Sequence, residues 1–104
     1  MASYVLVYRG GGMPDTEAEQ QAQMARWGEW YNELGQNVVD GGNPFGPSKT
    51  VASDGSTSDG GASGLTGYTI VSAGSLGEAA DMAKGCPILD AGGEVEVYET
   101  FVVG

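Results

Sequence analysis

Hydrophobic and polar positions in the opening segment follow a strand period. In "SYVLVYR", Tyr4, Leu6 and Tyr8 interleave with Val5 and Val7, so both faces are apolar, as in a strand covered on two sides. A central sheet position is expected. After "GGGMP", Thr16 and Glu19 have the spacing of a capping box, and Asp15, Glu17 and Glu19 place negative charge at the positive end of a helix. The period then changes: Met24, Trp27, Trp30, Tyr31 and Leu34 recur at steps of three and four, and Gly35 ends the run. The aromatic stripe Trp27, Trp30, Tyr31 reads first as helix packing onto a sheet and second as a dimer contact.

The rest of the chain repeats this grammar. "KTVASDGSTS" reads as a hairpin about Asp54-Gly55, followed by the polar loop "DGGASG". In "GYTIVSA", Tyr68 and Ile70 share one face and Thr69 and Val71 the other, a second interior strand. Ser75 and Glu78 form another capping box, and Leu76, Ala79, Ala80 and Ala83 give a short amphipathic helix that stops at Gly85 before Pro87. "EVEVYETFVV" (Glu94 to Val103) sets Val95, Val97, Phe101 and Val103 against Glu94, Glu96, Tyr98 and Thr100, with Glu99 intruding on the apolar side. With the hairpin as second strand, the order is βαββαβ. That is an α+β, ferredoxin-like arrangement: a four-stranded antiparallel sheet with two helices on one face. Either Tyr4, Leu6 and Tyr8 or Val5 and Val7 then line the uncovered face. Both sets are too apolar for water, so a homodimer closing sheet against sheet into a dimeric α+β barrel is expected.

Composition narrows the function more than the fold. At 104 residues one hydrophobic core is usual, so residues 1–104 are expected to form a single domain. Four basic and fourteen acidic side chains give a net charge of −10, which repels nucleic acid and anionic membrane surfaces. With no histidine and one cysteine, Cys86, ordinary zinc sites, histidine-based triads and an internal disulfide are closed, and no metal or cofactor is expected. The start lacks a basic leader and no apolar run reaches the roughly 18 residues of a membrane span, so a cytoplasmic location is expected. Nineteen glycines are well above the average share and concentrate between the periodic segments, marking long turns.

"DGGNPFGPSKTV" invites a phosphate-loop reading. Gly41 and Gly46 have the required spacing, but Lys49 comes two residues late, Pro47 removes a backbone donor, and a hairpin follows where a helix is needed. The segment reads instead as a stiff connection over a mouth of the dimer cleft, with Phe45 as a core anchor. Asp54, Ser56, Ser58 and Asp59 lack calcium-loop offsets. Cys86, past a helix C-terminus and without a histidine, reads as a buried structural thiol. Arg9 and Lys49 make surface ion pairs in the bland reading. In the functional one they hold a small anion in a pocket lined by Tyr8 and Tyr98.

The segments "YVLVYRGG", "WGEWYNELG", "GNPFGPSKTV", "LTGYTIVSAGSLGEAADMAKGCPIL" and "GGEVEVYE" resemble, in this order, the YCII-related or DGPF-domain proteins. The resemblance implies a dimeric ferredoxin-like barrel and, for some members, a functional link to a sigma factor. It also implies an acid-base pair of a first-helix histidine and an aspartate before a proline. Here Gln23 or Met24 stands at the first position and Cys86, before Pro87, at the second. Neither replaces its counterpart in proton transfer. The expected function is therefore a small-molecule-binding or regulatory dimer without the family's dyad. The alternative is a lyase, isomerase or hydrolase acting on a small anion, with Glu96, Glu99 and Tyr98 as acid-base groups and Glu99 raised in pKa by apolar neighbours.

Overall fold

Strand β1 (Ala2–Arg9) lies between β5 (Leu65–Ala73) and β6 (Glu94–Glu99) in the computed structural model, which describes residues 2–12, 14–61 and 63–102. Strand β2 (Val38–Asp40) pairs with the other edge of β5, giving the order β2-β5-β1-β6 with every pairing antiparallel. Helix α1 (Glu17–Leu34) follows β1 and α2 (Leu76–Ala83) follows β5. The chain thus has the expected ferredoxin-like α+β fold.

One strand comes from an unexpected place. The hairpin of β3 (Lys49–Val51) and β4 (Thr57–Asp59) forms as the Asp54-Gly55 pair predicts, but as a separate two-stranded sheet. The Asp54 carboxylate accepts from the Ser56 N–H at 2.8 Å and its hydroxyl at 2.6 Å. Those bonds hold the Asp54 carboxyl below its usual pKa. With Val51 67% exposed, the hairpin offers no apolar face to the main sheet. The second sheet strand is instead Val38–Asp40, reached from α1 through one 3-10 turn (Gly35–Asn37). The Asn37 amide donates to the Ser72 carbonyl at 2.8 Å and fixes that approach. Three residues are too few for a period of two to be read.

Register decides which apolar set faces the helices. Leu6 sits opposite Thr69 and Val97, and Val5 opposite Ile70 and Tyr98. Tyr4, Leu6, Tyr8, Thr69, Val71 and Ala73 are buried on the helix face, while Val5, Val7, Ile70 and Tyr98 belong to the other. Thr16 and Ser75 cap α1 and α2, each accepting a backbone N–H at 3.1 Å. Trp30 and Leu34 enter the core from α1, Ala79 and Ala83 from α2. The Trp30 indole N–H donates to the Met82 carbonyl at 3.0 Å, joining the two helices.

Two burial expectations are corrected. Phe45 is not a core anchor: it is 46% exposed and stacks on Tyr68, with ring centroids 5.8 Å apart. Strand β6 ends at Glu99, and just past it the Thr100 N–H donates to the Ser3 carbonyl at 2.9 Å. Phe101 is consequently 80% exposed, and Val103 lies outside the described residues. Among the described residues no helix is long and apolar enough to cross a membrane.

Gly42 shows how tightly the chain after β2 meets β5. Its φ is +73°, and an added Cβ would lie 1.7 Å from the Tyr68 carbonyl oxygen. Gly42→Ala should lower stability by about 2 kcal/mol or more, since both the backbone conformation and the approach are lost. Urea denaturation of parent and variant measures this.

Candidate functional site

Helix α1 carries two arcs. Trp30 and Leu34 point into the core, while Gln20, Gln23, Met24, Trp27, Gly28 and Tyr31 recur at three and four along an adjacent arc. Opposite that second arc lie Gly10–Gly12 after β1, Gly41–Pro44 after β2, and Thr66–Tyr68 of β5. Between them is a cavity of about 700 Å³, within the size range of small-molecule sites. Met24, 72% exposed, stands at its mouth.

The walls are aromatic and uncharged. Trp27 meets Tyr8 edge to face at 5.4 Å and Trp30 at 5.6 Å, and lies 6.0 Å from Tyr31. Among the described residues lining the cavity there is no Asp, Glu, Lys or Arg. Its polar floor is a hydroxyl network. The Tyr8 hydroxyl donates to Thr69 Oγ1 at 2.6 Å, and the Thr69 and Tyr31 hydroxyls each donate to the Gly41 carbonyl at 3.0 Å. Burial pushes the Tyr8 phenol well above its ordinary range, against the lowering effect of the Thr69 bond.

Behind Tyr8 lies Cys86, buried as expected, its thiol pushed up to about 11 chiefly by burial. It is a thiol throughout the physiological range. Gln23 and Met24, the two residues that could stand where the family resemblance has a histidine, both line the cavity.

The residues expected to share one pocket are not brought together. Tyr8 lines the cavity, but Tyr98 projects from the opposite sheet face, because Tyr8 pairs with Val95 and Tyr98 with Val5. Arg9 is engaged at the end of β1 by Glu94 at 3.0 Å and Glu96 at 3.2 Å. Lys49 bonds Asp59 at 2.9 Å on the separate hairpin. Neither cation lines the cavity. Glu96 accepts a hydrogen bond from Tyr98, and this bond, with the adjacent carboxylate charge, raises the Tyr98 phenol above its usual range. Glu99 is exposed and accepts from the Tyr4 hydroxyl at 3.4 Å, not among apolar neighbours as expected. Glu96, Tyr98 and Glu99 are all outside the cavity lining.

Sequence reasoning treated Trp27 and Tyr31 as packing residues and missed Gly28, Gly41 and Gly42. A signal was present: the α1 stripe is wider than a single core contact needs, and a helix-interior glycine costs about 1 kcal/mol against alanine.

No protein-family model and no curated protein sequence matches the chain. Among solved structures it is similar to 5-chloro-2-hydroxyhydroquinone dehydrochlorinase from Burkholderia phenoliruptrix AC1100, in complex with 2,5-dihydroxybenzoquinone. The two are 19% identical with a TM-score of 0.57, over 97% of this chain and 95% of that one. What they share is the fold.

The Cys86 environment gives a pH signature. The folded thiol stays neutral up to about pH 11, whereas the unfolded thiol ionises near its ordinary value of 9.0. Its contribution is therefore fully present below pH 9.0 and lost as pH rises from 9.0 to about 11. Denaturant melts at several pH values should show the parent losing stability across this window faster than Cys86→Ala.

Proposed function

We propose that this protein binds a small, neutral, aromatic molecule in the cavity between α1 and the sheet, without acid-base chemistry on it. The carrying observation is a cavity of about 700 Å³ whose described lining is aromatic, aliphatic, amide, hydroxyl and backbone, with no ionic side chain. An anion entering there would give up hydration without a cationic partner and meet a chain of net charge −10. This replaces the anionic ligand expected from Arg9 and Lys49, which are spent on carboxylates elsewhere. Tyr8 and Cys86, held protonated, do not supply a base near neutral pH. The dehydrochlorinase complex with 2,5-dihydroxybenzoquinone supports a ring-sized occupant.

We further propose a homodimer through the open sheet face, supported by Val5, Val7 and Ile70 standing where this chain supplies no helix. The cavity is on the other face, so association leaves it accessible.

Two measurements test these readings. Titration at pH 7 with 2-naphthol should quench tryptophan fluorescence through Trp27 and raise the melting temperature. The anionic 2-naphthoate should bind at least about tenfold more weakly, a difference of about 1.4 kcal/mol. Equal affinity for the two, or none for naphthol, removes the neutral-ligand reading. In sedimentation at micromolar concentration the parent should run as a dimer and Ile70→Lys as a folded monomer; a monomeric parent removes the dimer.

A further inference from the structure

The floor of the cavity has a direction. Its three hydroxyl groups hold three hydrogens, and each hydrogen has an acceptor inside the protein. The Tyr8 hydrogen goes to Thr69 Oγ1 at 2.6 Å, and the Thr69 and Tyr31 hydrogens go to the Gly41 carbonyl at 3.0 Å each. Thr69 is fully buried, so its hydroxyl has no water to turn to. Two donors fill both lone pairs of the Gly41 oxygen. The Thr69 and Tyr31 oxygens, 3.3 Å apart, close the network on itself.

Tyr31 is the member of this network that is only part-buried and lines the cavity. Its hydrogen is committed to Gly41, so what its oxygen presents to a ligand is a lone pair. A ligand carbonyl or ether placed there would meet oxygen against oxygen, or would have to draw the Tyr31 hydrogen away from Gly41. A ligand hydroxyl or N–H meets an acceptor at no such cost. The Gln20, Gln23 and Asn43 side chains also line the cavity, but a primary amide both donates and accepts and does not discriminate, and the Thr66 hydroxyl, which gives its hydrogen to the Tyr8 and Gly10 carbonyls at 3.3 Å each, is exposed and keeps its access to water.

We infer that the cavity selects neutral aromatic molecules bearing a hydrogen-bond donor, a phenolic hydroxyl or an aromatic N–H, and that Tyr31 Oη is the atom that reads it. The inference rests on the proposed use of the cavity and adds the polarity of its occupant. Tyr31 is assigned as a specificity-determining residue.

Isothermal titration of the purified protein with 2-naphthol, 2-methoxynaphthalene and naphthalene tests it, since the last two keep the rings and lack the donor. The parent should bind 2-naphthol roughly tenfold more tightly than either, and Tyr31→Phe, which keeps the aromatic wall, should bring the ratio close to one. A parent that binds all three equally, or the ether best, overturns the donor requirement while leaving the cavity as a binding site. A parent that binds none overturns the binding reading itself. A Tyr31→Phe variant that folds and keeps the tenfold preference overturns the role of Tyr31. If the variant does not fold, as judged by circular dichroism, the parent's own ratio decides the donor requirement.

Discussion

A threonine hydroxyl with no exposure at all, that of Thr69, has to be hydrogen-bonded where it sits, and the partners it takes determine much of the site. It accepts from Tyr8 of β1 and donates to Gly41 just past β2, so one side chain of β5 ties together three neighbouring stretches of chain. Losing either partner leaves a polar group unpaired in the core, at a cost of about 1–3 kcal/mol. Tyr8 must therefore turn its ring toward the helices, and its edge-to-face contact with Trp27 positions the second arc of α1. The same network directs the Gly41 carbonyl inward, which fixes the hydrogen of Tyr31. Cavity wall and cavity floor follow from one buried hydroxyl.

The cavity stays open because different residues fill the space beside it. Trp30, anchored by its bond to the Met82 carbonyl, fills the gap between α1 and α2, and Ala79 and Ala83 keep α2 close to the sheet. Helix α2 is thin on its inner side, so the core tapers toward it. Helix α1 carries bulk on two arcs, and its second arc faces loops bordered by glycines. Gly42 is held against the Tyr68 carbonyl, so that wall is placed by backbone contact.

Long periodic elements were legible in the sequence: both helices with their Thr16 and Ser75 caps, the interior strands around Leu6 and Ile70, and the hairpin turn at Asp54-Gly55. What the sequence hid was short or relational. Strand β2 has three residues and takes its place from pairing with β5, which no local pattern records. Alternation in β1 showed two apolar faces without saying which met the helices; only its register with β5 and β6 separates Tyr8 from Tyr98. Charge misled for a similar reason. Arg9 and Lys49 are scarce cations in an acidic chain, which makes each look reserved for a ligand, yet that same excess of carboxylates supplies partners close by. The stripe on α1 was read as one core-facing surface because periodicity gives the width of an apolar face and not what stands opposite it.

The sheet divides its two faces between two kinds of problem. On the helix face the difficulty is keeping aromatic surface open without ionic groups, and glycine-bordered loops with a closed hydroxyl network meet it. On the other face, the proposed self-association of chains each carrying −10 would bring like charge together, so such a contact would have to be apolar at its centre and locally neutralised around it. Val5, Val7 and Ile70 supply the apolar part, and Arg9 between Glu94 and Glu96 offsets much of the carboxylate charge at one end. A basic residue removed from that cluster to serve the cavity would leave two carboxylates unopposed beside the proposed interface. The neutrality of the cavity and the proposed pairing of the open face are in this sense one constraint: an acidic chain with four cations has none to spare for a ligand.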